Sequence, residues 1–220
     1  MSRQKQTEEV KRHVVAAALK LFLEKGYAQT TLREISAAAG VSYGSLYHHF
    51  EDKDGIFREL ILENFEKTQR VADRHLSGSA NVYVRLALKW AGLIQAISSD
   101  ARVAELLSVA YRSWKISEVL INAAASRHRD WLAKELPDWT DSQFFAATLV
   151  LTGAMSSIVD EKLNLDRLTA AERTQAALSC ALPCFGADLA LTRRVIRQVL
   201  ELAPSMTPPA LANAKRATRR

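Results

Sequence analysis

Only two cysteines, Cys180 and Cys184, occur in the 220 residues. Two thiols cannot staple a chain this long, so a disulfide framework is excluded. Proline is scarce and one-sided. All five prolines lie after residue 136, so the N-terminal half carries no such breaker. No run approaches 18 uncharged apolar residues, which argues against a transmembrane helix and a membrane partner. The opening MSRQKQTEEVKRH is polar and lacks a signal-peptide core, so a cytoplasmic protein is expected. Alternating apolar strands and fixed-period repeats are missing. So are GxGxxG, GxxxxGKS/T and GxSxG, and no catalytic constellation replaces them. The acidic pairs Asp160-Glu161 and Asp138/Asp141 fall at helix ends, where capping is the simplest account. No enzyme and no cofactor is expected.

What is present is ordinary for a globular chain: 48% hydrophobic, 25% charged and 7% aromatic residues. That apolar share excludes disorder for the bulk and supports one large or two small domains. The net charge of +6 suggests nucleic acid until it is divided along the chain. Residues 1–54 carry net +1 and residues 55–203 again +1. The last 17 residues hold Lys215, Arg216, Arg219 and Arg220 without an acid. Charge alone therefore gives no case for DNA.

Apolar residues recur at helical spacing nearly throughout. Val10, Val14, Ala17, Ala18, Leu21 and Phe22 define a first helix, stopped at Lys25-Gly26. Thr30 or Thr31 caps a short helix to Ala39, Gly40 breaks it, and Ser42 caps another to Phe50. Asp52 or Asp54 starts a long helix. Further helices are expected at about 81–98, 101–113, 116–136, 141–163, 169–185 and 188–202. Thr169 and Glu172 have capping-box spacing. The expected fold is all-α: an N-terminal three-helix bundle over 1–52, a larger helical domain over 53–203, and a basic, disordered tail over 204–220. The total is about nine helices.

The stretch TTLREISAAAGVSYGSLYHHFEDK, residues 30–53, carries the function. Its short helix, glycine turn and second short helix fit a helix-turn-helix. Ile35, Ala39, Val41 and Leu46 can hold the two helices at a fixed angle, and the second can enter a major groove. Tyr43, Gly44, Ser45 and His48 lie where base edges would be. Tyr47, His49 and Lys53 offer donors that reach phosphates. Arg33 can bond two acceptors of one guanine.

At these positions the chain resembles the tetracycline-repressor (TetR) family of transcription regulators. The match runs through Thr30-Thr31, Ile35, Ala39-Gly40-Val41-Ser42, Gly44, Leu46-Tyr47, His49-Phe50 and Lys53. It covers roughly residues 10–60. Ser36 departs from the pattern, standing where alanine is commoner, and Gly44 brings no side chain for direct readout. The resemblance implies DNA contacts at Thr31, Arg33, Ser42, Tyr43, Gly44, Ser45, Tyr47, His48, His49 and Lys53. It also implies a ligand-responsive regulator, most often a repressor, that binds a palindromic double-stranded DNA operator as a homodimer. A small, largely apolar effector would release it. Phe65, Trp90, Tyr111, Trp114 and Phe145 are the candidates for lining its cavity. Ala147, Val150, Leu151, Ala154, Ile158 and Cys180 are the candidates for the dimer interface.

Competing readings attach to several of these residues. His48-His49 could ligate a metal, but adjacent helical residues diverge by about 100°, so no metal site is expected. Cys180 and Cys184 could form a redox switch, against plain packing. A helical enzyme and a membrane-surface module using the basic tail are the rival classes.

Overall fold

The computed structural model describes residues 3–75, 81–160 and 167–203. The basic tail expected at 204–220 lies outside the described residues, as does the polar stretch Ser77-Gly78-Ser79. Among the described residues there are ten helices and no strand: α1 Arg3–Lys25, α2 Leu32–Ala39, α3 Tyr43–His49, α4 Lys53–His75, α5 Val82–Ser99, α6 Ala101–Arg112, α7 Trp114–Leu132, α8 Asp141–Val159, α9 Ala170–Cys184 and α10 Leu189–Leu202.

The helix ends follow from side-chain chemistry. Thr31, not Thr30, caps α2; Thr30 is buried and its hydroxyl donates back to the Gly26 carbonyl at 2.8 Å. Asp52 accepts the Gly55 N–H at 2.6 Å and so opens α4. Thr140 with Gln143, and Thr169 with Glu172, close capping boxes at α8 and α9. Asp188 caps α10 through the Leu191 N–H. Ser113 ends α6 and opens α7 two residues earlier than the expected 116. Pro183 stands in the last turn of α9, and Gly186, at φ +77°, completes the stop. The acidic residues at helix ends make ion pairs as well: Asp160 with Arg112 at 2.6 Å and Asp141 with Arg129 at 3.0 Å.

Two regions of core result. In the first, Val14, Ala18 and Phe22 of α1 bury against Ile35 and Leu46. Phe57 of α4 joins them, its ring 5.6 Å from Phe22 and 4.8 Å from Tyr27. The first turns of α4 therefore share the N-terminal core. In the second, α5 is the central rod. From Tyr83 to Gly92 every residue except Arg85 is buried, so an amphipathic period is not needed there. Around α5 pack α6, α8, α9 and α10. Tyr83 donates to the Phe185 carbonyl at 2.9 Å.

α8 alone among the described helices is long and apolar enough to cross a membrane by length and composition. One such helix is weak evidence for a span. One face of it serves the core: Phe144, Ala147, Leu151 and Met155 are buried. This corrects the expectation for Ala147 and Leu151, which pack inside their own chain. Helical geometry turns Phe145, Leu149 and Val150 outward instead, with exposures of 41%, 49% and 56%. Ala154 and Ile158 are half-buried, and Cys180 is exposed on α9.

Candidate nucleic-acid interface

The geometry of residues 30–53 is set by backbone bonds that the sequence supplies locally. Thr31 Oγ1 accepts the Glu34 N–H, and the Glu34 carboxylate accepts the Thr31 N–H at 2.9 Å. Glu34 also pairs with Lys25, which ties α2 to the end of α1. That pairing, with the Thr31 bonds, lowers the Glu34 pKa to about 2. Gly40 takes φ +68°, and its N–H and that of Val41 return to the carbonyls of Ala37 and Ser36. This is the Schellman closure, and it needs a residue tolerant of left-handed backbone. Ser42 then accepts the Ser45 N–H at 3.1 Å and starts α3.

α3 is anchored by one residue: Leu46 is fully buried. The opposite face is open. Tyr43 and Tyr47, one turn apart, are 42% and 49% exposed, with ring centroids 5.1 Å apart. Their neighbouring hydroxyls push the Tyr43 pKa up, so it remains a donor at neutral pH. Ser42, Gly44 and His48 are exposed, and Ser45 is half-buried. A Cβ on Gly44 would meet nothing within 4 Å, so this position is an open notch in the surface. His49 is half-buried; burial and the adjacent His48 and Lys11 lower its pKa, so its imidazole is neutral at pH 7. Thr31 and Arg33 are exposed beside this face. Among the described residues no group of three or more His, Cys, Asp or Glu is placed to hold a metal ion.

Lys53 departs from its expected place. Its ammonium turns inward, donating to the carbonyls of Tyr27 at 2.8 Å and Thr30 at 3.0 Å, and sits 4.3 Å from the Tyr27 ring centroid. Burial lowers its pKa. Next to it, Asp54 accepts the Tyr27 hydroxyl, whose pKa is raised by burial and by that bond. The first turn of α4 is thus a clasp on the loop that leads into α2. A lysine at this spacing reads equally well as a phosphate contact; only folding brings the two carbonyls to it.

A second feature lies beneath. A cavity of about 80 Å³ is walled by Phe65 of α4, Lys89 and Trp90 of α5, Tyr111 of α6, Ala124 of α7 and Thr152 of α8. Three expected lining residues, Phe65, Trp90 and Tyr111, meet there. The other two do not. Trp114 is the first residue of α7 and is 71% exposed, because a side chain in an outer first turn has nothing to pack on. Phe145 belongs to the outward stripe of α8. Lys89 was missed by sequence reasoning. Its signal was available: a lysine three residues after Leu86 and four before Leu93 lies on the apolar face of its helix.

Comparison with known proteins agrees with this geometry. The family model described as bacterial regulatory proteins, tetR family, matches residues 14–60. Over that segment the chain is similar to the tetR family. The matched segment runs from within α1 into the first turns of α4, the same elements that share the N-terminal core. The chain is similar to the HTH-type transcriptional repressor BepR of Brucella suis, 47% identical over 53 residues, 24% of this chain and 25% of that protein. It is also similar to the HTH-type transcriptional regulator HbdR of Aromatoleum sp., 32% identical over 145 residues, 64% of this chain and 62% of HbdR. The matches to curated relatives thus span less than two thirds of those proteins. Over the larger domain the likeness is one of fold. The crystal structure of RolR in complex with resorcinol superposes with a TM-score of 0.69 at 19% identity, covering 88% of this chain and 96% of that one.

Proposed function

We propose that this chain is a ligand-responsive transcriptional repressor that acts in the cytoplasm on a palindromic operator as a homodimer. The observation that carries this reading is α4. One rigid helix clasps the DNA-reading unit at Lys53 and Asp54 and, further along, walls the cavity with Ile61 and Phe65. α6 repeats the connection. Arg102 and Glu105 crowd Gly26 at the end of α1, and Leu107 and Tyr111 face the cavity. A ligand that fits better when these walls are displaced must therefore move the two readers of a dimer relative to each other. Its differential affinity for the two arrangements sets the size of the switch. RolR was crystallised with resorcinol, and a ligand of that one-ring scale would enter the small cavity here by displacing its walls.

Each α3 would enter one major groove, with Tyr43, Ser45 and His48 toward base edges. Thr31, Tyr47 and His49 would contact phosphate, and Arg33 would contact a guanine. The outward stripe Phe145, Leu149 and Val150 on α8, with Cys180 on α9, would form the dimer interface. A two-fold dimer requires two half-sites related by the same symmetry.

The test is fluorescence anisotropy on palindromes taken from promoters that flank the gene. Nanomolar binding with two subunits per site is expected, weakened in Tyr47→Phe for every sequence tried. Binding indifferent to palindromic spacing would overturn the dimer reading. A cavity ligand that leaves operator affinity unchanged would overturn the switch.

A further inference from the structure

Lys89 is 5% exposed, and its Nζ has no hydrogen-bond partner. The ammonium stands against two rings, 4.3 Å from the Phe65 centroid and 5.1 Å from that of Trp90. Trp90 is equally buried, and its indole N–H also has no partner. Both residues line the cavity. A buried donor without an acceptor forfeits its hydration with no return, so such groups are rare without a use. Here two stand on adjacent residues at one space.

The described cavity wall offers Lys89 no carboxylate. Among the described residues that line the cavity, none is Asp or Glu and Lys89 is the one charge. The charge felt from α7 is of the wrong sign: Arg127 bears on Lys89. His128 commits its Nδ1 elsewhere, while its Nε2 makes no hydrogen bond, to Lys89 or otherwise. The Thr148 hydroxyl donates its proton to the Phe144 carbonyl at 2.8 Å, so it can only accept from His128 Nδ1 at 2.9 Å. Beside the uncharged polar side chains of Asn64, Tyr111 and Thr152, the wall is apolar, with Leu93, Leu107, Ala110 and Leu120.

We propose that this cavity receives a small, mostly apolar monocarboxylic acid whose carboxylate is held by Lys89 Nζ and Trp90 Nε1. A single negative charge matches a single ammonium, whereas a dianion would remain half uncompensated in an apolar space. The size follows from the volume. About 80 Å³ is roughly half the engineered apolar cavity of about 150 Å³ that takes benzene. The ligand is therefore one ring or a short chain, and even that must push on the α4 and α6 walls. The inference rests on the cavity being the effector site, and it names the chemistry of that effector.

The test is isothermal titration calorimetry at pH 7 on the full chain. Benzoate and hexanoate are the acid probes, benzyl alcohol and hexanol their neutral counterparts. Each acid is expected to bind at least tenfold tighter than its alcohol. Lys89→Met should erase that preference while the alcohols still bind. Ala110→Leu, which fills the cavity, should remove all four. Alcohols that equal the acids in the parent protein would overturn the acid inference and leave the cavity reading standing. Failure of all four probes would overturn both. Acid binding that survives Lys89→Met or Ala110→Leu would place it elsewhere and overturn the inference.

Discussion

Lys89→Met should make the protein more stable, and the structure gives the size of the effect. Burial, with Arg127 nearby, lowers the Lys89 pKa from 10.5 to about 7. A tenfold change in an acid dissociation constant corresponds to about 1.36 kcal/mol, so the upper bound on the cost at and below pH 7 is about 5 kcal/mol. The Phe65 and Trp90 rings return about 1–2 kcal/mol through cation–π attraction. Methionine keeps much of the side-chain volume and carries no charge. A net gain of about 3 kcal/mol is expected at pH 7. For a chain of this length that is about 6–12 °C in Tm. The pH dependence has a definite sign. Between about pH 7 and 10.5 the unfolded chain holds a proton on Lys89 that the folded chain lacks, so parental stability rises with pH in that window. The advantage of Lys89→Met is therefore full below pH 7 and vanishes as pH approaches 10.5. Thermal melts of both proteins at pH 6, 7, 8.5 and 10 are the assay. A variant that melts at or below the parental temperature at pH 7, or a gap that does not narrow with pH, would refute the reasoning.

Three further outcomes can be measured directly. Lys53→Ala should cost about 2 kcal/mol in stability by freeing the Tyr27 and Thr30 carbonyls. It should weaken operator binding without changing the salt slope; a slope reduced by about one would instead show a phosphate contact. Gly40→Ala should cost about 1 kcal/mol in urea denaturation, because the open space around the site leaves only the φ of +68° to penalise a side chain. Val150→Glu, on the outward stripe of α8, should shift sedimentation toward monomer with little change in Tm, since Val150 is 56% exposed within its own chain; an unchanged sedimentation coefficient would remove that stripe from the interface.

The sequence alone determined those features whose cause is local. The Thr169–Glu172 box, the stop at Gly40 and the start at Ser42 all act over three or four residues, so spacing reveals them, whereas the choice of Thr31 over Thr30 as the α2 cap came with the fold. The reading segment was legible for the same reason, as was the all-helical class, where about nine helices were expected and ten are found among the described residues. Direction around a helix was harder. Phe145 and Leu151 are both apolar members of α8, and only the packing of α7 and α9 against it decided which one faces out. Trp114 reads as core until the chain is seen to break at Ser113.

The tertiary structure decided the fate of the lysines. Lys53 and Lys89 belong to a chain whose folded part is near neutral, and neither position announces its partners. Folding delivers two distant carbonyls to Lys53 and leaves Lys89 Nζ without a hydrogen-bond partner. The difference is one of solvation. A charge near the surface is satisfied by whatever backbone is close, whereas a charge buried among rings in α5 has its pKa, its cost and its use set by residues brought from α4 and α7.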